Sequence, residues 1–153
     1  MMLLLFTEQK FMLMVEWFNF NLKKNEMNKY INLIGRILFA LMFLMPALNQ
    51  ITNFEGTQQY MASKNMPMIP FLLVCAIVIL LFGAFSIGAG FKSKIGSIAL
   101  IVFLIPATLI FHNELSDQNQ FIHFLKNVAL IGGLLILFVN GTGELSLDNK
   151  VKS

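Results

Sequence analysis

Residues 109–127 read "LIFHNELSDQNQFIHFLKN", and this stretch holds both histidines of the chain, His112 and His123, together with Glu114, Asp117 and Lys126. Imidazoles exchange protons near neutral pH, and a lysine beside them can bind a small anion or the carbonyl oxygens of a quinone headgroup. His123, Lys126 and Asn127 follow at three- and four-residue spacing, so on a helix they share one face. His112 stands across a polar loop from them, with Thr108 one turn earlier on its own face. If the two flanking segments pack as an antiparallel hairpin, His112 comes near His123 and Lys126, with Glu114 above them. The ligand-binding candidates are then His112, Glu114, His123, Lys126 and Thr108, in a polar pocket with apolar walls. The competing reading is a wet loop whose histidines sit at a membrane interface.

Other chemistries find less support. Two histidines and Glu114 supply three potential ligands, but ten residues separate the histidines and Lys126 repels a cation, so no metal site is expected. No nucleophile stands beside a base, and no phosphate-binding loop is present, so no catalytic residue is assigned. "GAFSIGAG" lacks a preceding strand and reads as helix packing. Cys75 is the sole cysteine, which excludes an intramolecular disulfide or a CxxC redox centre.

The elements that position these residues follow from composition. The 153-residue chain is 57% hydrophobic and only 12% charged, with mean hydropathy +0.73, where soluble domains carry about 25% charged residues. The apolar residues fall in four blocks, Ile31 to Leu48, Ile69 to Ala89, Ile95 to Phe111 and Phe121 to Asn140. Each approaches the roughly 20 residues that a helix needs to cross a ~30 Å hydrocarbon core. Strands are excluded, because isolated strands leave backbone groups unpaired in lipid and the alternation of a barrel is missing. The expected fold is all-α, an antiparallel bundle of four transmembrane helices in a multi-pass protein.

Lysines set the orientation. Lys10, Lys23, Lys24, Lys29, Lys92, Lys94, Lys150 and Lys152 fall on one side and only Lys64 on the other, which predicts cytoplasmic N and C termini. The net charge of +3 is thereby a matter of topology, and no nucleic-acid partner is expected. Residues 1–26 form an extension to the membrane domain at 27–153: either an interfacial helix bearing Trp17 and Phe18, or a stretch upstream of the true start at Met27. The connection from Asn49 to Pro67 is long enough for a short helix, with Tyr60 and Met61 at a membrane surface.

Arg36 and Lys126 are the only charges inside the spans. Arg36 lies on a stripe with Ala40, Phe43 and Ala47, and Lys126 on one with Gly133, which predicts that both face the bundle. Arg36 is thus the buried charge of the first span. Its stem can instead snorkel to headgroups, or its guanidinium can reach carbonyls at helix ends.

With these residues in view, the chain resembles the DoxX family of small bacterial membrane proteins from about Asn32 to Asp148. The markers are "LIGRILFALMFL" with Arg36, "FEGTQQYMASKNMP", "GAFSIGAGFKSKIGSIAL", "ATLIFHNE" with His112, "FLKNVALIGGLLIL" with Lys126 and "GTGELSLD". The family commonly has a lysine near the end of the first span, where this chain has "PALNQI" with Gln50, and often an acid early in the second span, where only aliphatic residues occur here. The resemblance implies a four-helix protein of the bacterial inner (cytoplasmic) membrane, with relatives linked to thiosulfate oxidation coupled to quinone reduction and to oxidoreductase complexes of thiol and oxidative stress. The expected function is a redox-linked subunit, more an accessory to an oxidoreductase than a complete enzyme, with a non-covalent quinone, membrane lipid and an oxidoreductase subunit as partners. The alternative is a non-catalytic scaffold or assembly factor for a partner enzyme. A transporter ranks last, since one outer polar cluster leaves no midplane site.

Overall fold

A computed structural model describes residues 2–111 and 116–152, with side chains described except at 2–11, 21–23, 25 and 152. All the regular structure among them is helical: α1 Met2–Thr52, α2 Phe54–Ser63, α3 Ile69–Ala89, α4 Ser93–Phe111, α5 Gln118–Asn140 and α6 Leu147–Lys152. Four segments are long and apolar enough to cross a membrane, Glu26–Thr52, Ile69–Ala89, Ser93–Phe111 and Gln118–Asn140. Residues 2–26, set apart by composition, run into the first span without a break in the helix.

Local signals set most helix ends. Proline at the start of α3 sacrifices no helical hydrogen bond, and Gly90 ends that helix in the left-handed region at φ +68. Asp117 caps α5 by accepting from the Gln120 backbone N–H at 2.9 Å. That cap starts α5 at Gln118, three residues before the apolar block. Helix α4 likewise starts at Ser93, ahead of its apolar block, and its cap comes from Asp148, far away in sequence.

The bundle is built on the stripe read from the first span. Arg36, Ala40, Phe43 and Ala47 are all buried, and the last three share a core with Leu80, Ala84 and Ile87 of α3. Helix α3 packs on α1 and α4, and α4 on α5. Close approach of α3 and α4 depends on Gly83, where a β-carbon would run into the Leu100 side chain. Most large apolar side chains elsewhere on the spans point outward, as lipid-facing surfaces require. Helix α2 lies across one end of the bundle against α1 and α3, with Met61 buried beneath it.

Candidate functional site

At the α2 end, the helices enclose an apolar cavity of about 570 Å³. This lies within the roughly 300–1,000 Å³ range of small-molecule sites. Its walls come from α3 and α4, among them Ala76, Ile79, Leu80, Phe103 and Ala107. Helix α2 forms the roof: Tyr60 stacks on Phe111 at 5.3 Å between ring centroids, which ties α2 to the end of α4. Polar groups enter at the roof and at one side, Gln50 from α1, Thr57 and Tyr60 from α2, and Lys126 and Asn127 from α5.

A smaller hollow of about 330 Å³ adjoins the corner between α1 and α2, and Asn49, Gln50, Asn53, Thr57 and Tyr60 line it. Gln50, Thr57, Tyr60 and Pro46 border both spaces. The Gln50 Oε1 is buried without a hydrogen-bond partner, so the boundary between hollow and cavity carries an unused acceptor. A buried acceptor left in this state costs roughly 1–3 kcal/mol, which a ligand or water donor would recover.

The residues singled out by sequence divide into three groups. Lys126 borders the cavity, and its Nζ lies 3.5 Å from His123 Nδ1, one turn earlier on α5. Both side chains are exposed at the bundle surface, so Lys126 faces the cavity from its rim and not from inside the core. Thr108 is buried and already engaged: its hydroxyl donates to the Leu104 carbonyl at 2.6 Å and accepts from Asn127 Nδ2 at 2.9 Å. It serves as a bolt between α4 and α5, which confirms the antiparallel pairing of the two helices while leaving no free proton for a ligand. His112 and Glu114 lie outside the described residues. Sequence reasoning missed Gln50, Thr57 and Tyr60 as residues that line one cavity with Lys126. Their signal was the polar run "LNQITNFEGTQQY", read as a connection because nothing in one sequence says that it folds over the bundle.

The other end of the bundle carries a second polar cluster. Arg36 is only 3% exposed and donates through Nη2 to the Leu145 carbonyl. Of the two exits open to it, snorkelling and a helix-end carbonyl, it takes neither as expected: the acceptor is a backbone carbonyl, but one in the connection between α5 and α6 and not at a helix end. This tail, residues 141–148, folds back as a strap. Asp148 donates its N–H to the Gly90 carbonyl at 2.9 Å and accepts from the backbone N–H groups of Lys92, at 2.8 Å, and Ser93, at 3.3 Å. Glu144 pairs with Lys29 at 2.7 Å, and Lys29 also holds Glu26 at 2.7 Å. Ser146 packs beside Gly90 and bonds the Gly143 carbonyl at 2.7 Å.

The sequence is similar to two inner membrane proteins of Escherichia coli K12. It is 30% identical to YqjF over 116 residues, covering 76% of this chain and 88% of that protein. It is 31% identical to YphA over 123 residues, covering 77% and 88%. It is also 29% identical to the ER-derived vesicles protein ERV29 of Saccharomyces cerevisiae over 137 residues, covering 86% of this chain but 37% of the yeast protein. No solved structure matches. The DoxX family profile matches residues 31–113, from the Arg36 helix through the cavity to the end of α4. The profile covers more than half of the chain, and four of its described helices are long and apolar enough to cross a membrane, so this chain is a multi-pass membrane protein that belongs to the DoxX family.

Proposed function

We propose that the chain is a quinone-interacting subunit of an oxidoreductase system in the bacterial inner membrane, with both termini cytoplasmic. The carrying observation is the cavity beneath α2, apolar along α3 and α4 and polar only where Gln50, Thr57, Tyr60, Lys126 and Asn127 border it. That division suits a ring with an apolar body and oxygen atoms at its edge. The Lys126 ammonium supplies a donor to a headgroup carbonyl, and the apolar walls exclude water that would compete for it. The sequence expectation placed the headgroup among the histidines; the cavity supports a seat lower in the bundle, with Lys126 common to both. The lysine distribution supports the orientation, and the two bacterial relatives, both inner membrane proteins by name, support the membrane.

The test is organic extraction and mass spectrometry of protein purified in mild detergent, wild type against Lys126→Ala. The expected outcome is near-stoichiometric quinone in the wild type and a clear loss in the variant, with helical content unchanged. Absence of quinone from well-folded wild-type protein would overturn the proposal and favour a scaffold that holds a partner enzyme at the membrane.

A further inference from the structure

The strap covers a set of positive groups that it satisfies unevenly. Glu144 meets the Lys29 ammonium, and the Asp148 carboxylate meets the first turn of α4 through Lys92 N, Ser93 N and, at 3.5 Å, Ser93 Oγ. Arg36, a buried charge, receives only a neutral carbonyl. Its Nε and Nη1 are buried and find no acceptor. A guanidinium removed from water is stabilised by an anion that fills its donor fork, and a single carbonyl leaves most of that fork unused. Gly90, at the turn between α3 and α4, lies so close to Arg36 Nη1 and Ser146 that a β-carbon there would strike both. Arg36 is therefore level with the end of two spans, at the depth of lipid headgroups.

Lys29, the Arg36 fork and a helix N-terminus at one membrane border together make a receptor for phosphate oxygens. Remove the strap, and Glu144 and Asp148 leave with it, exposing Lys29, Arg36 and the α4 N-terminus beside Lys92 and Lys94. We propose that this receptor binds the phosphate of an anionic phospholipid, and that the strap at 141–148 occupies it in cis and is displaced when such a lipid enters. The two strap carboxylates engage the Lys29 ammonium and the α4 N-terminus that a lipid phosphate would compete for, and the unbonded Arg36 nitrogens are what the lipid adds. Docking of the C-terminal segment thereby becomes sensitive to lipid composition.

The experiment titrates phosphatidylglycerol into delipidated full-length protein in detergent and counts bound lipid by native mass spectrometry, with phosphatidylcholine and inorganic phosphate as comparison ligands. The wild type is compared with Glu144→Gln/Asp148→Asn, which loosens the strap, and with Glu16→Gln/Glu55→Gln, which makes the same charge change elsewhere. The strap variant is expected to bind phosphatidylglycerol about tenfold more tightly than the wild type or the charge control, with no gain for phosphatidylcholine. Arg36→Gln on the strap-variant background should abolish the gain; Lys29→Gln, at a less buried position, should reduce it even if the arginine variant does not fold. Equal binding by the strap variant and the charge control would overturn the proposal. So would tight binding that survives Lys29→Gln, or a gain for inorganic phosphate with none for the lipid.

Discussion

The bolt between α4 and α5 makes an asymmetric prediction. Thr108 and Asn127 are both buried and share one hydrogen bond at 2.9 Å, but they depend on it unequally. In Asn127→Leu, Thr108 keeps its donation to the Leu104 carbonyl at 2.6 Å, so only the interhelical bond is lost. Such bonds between membrane helices average about 0.6 kcal/mol and reach roughly 1.7. Leucine also adds apolar contact, which offsets part of that loss. In Thr108→Val, the Asn127 amide loses its acceptor inside the helix interface, and a stranded buried donor costs about 1–3 kcal/mol. The valine change should therefore destabilise more than the leucine change, although it replaces one polar atom where the leucine change replaces two. The double variant buries no stranded group and should lie close to Asn127→Leu alone, giving a coupling equal in magnitude to the Thr108→Val cost, about 1–3 kcal/mol. Equilibrium unfolding in mixed micelles, titrated with a denaturing detergent and followed by circular dichroism, measures all four corners of the cycle. Equal costs for the two single changes, or strict additivity in the double variant, would refute the reasoning.

Two further outcomes follow from close backbone approaches. Gly83→Ala should cost about 1–3 kcal/mol by overpacking against Leu100, a side chain with 0% exposure that has nowhere to retreat, and Leu100→Ala on that background should return part of the loss in the same unfolding assay. Gly90→Ala should undock the strap, since φ is +68 there and the new methyl strikes Arg36 and Ser146; faster hydrogen exchange at the Asp148 amide, which bonds the Gly90 carbonyl at 2.9 Å, is the readout.

The candidate site was only partly legible. Lys126 and Asn127 stand out in sequence because a charge and an amide inside an apolar block are conspicuous, and their spacing from His123 puts them on one face. Thr108 was conspicuous for the same reason, yet its hydroxyl proved committed to Leu104 and Asn127, a pairing that rests on how two helices are juxtaposed. Gln50 was visible as a departure from the family pattern, with no indication that its carbonyl oxygen would be left without a donor beside a cavity. The buried stripe of Arg36, Ala40, Phe43 and Ala47 needed only helical periodicity to be found.

What the sequence by itself determined is whatever follows from local composition and period: four apolar blocks of spanning length, helix as the only backbone that satisfies itself in lipid, and the lysine bias between the two sides. What only the tertiary structure decided is how distant segments meet. The fold of α2 onto Phe111 closes the cavity, and the return of Asp148 to the start of α4 and of Leu145 to Arg36 builds the strap. These contacts join residues tens of positions apart through a handful of hydrogen bonds and one ring stack. A polar residue in a connection satisfies the same local preferences whether it faces water or a distant helix, so nothing periodic in the chain announces them.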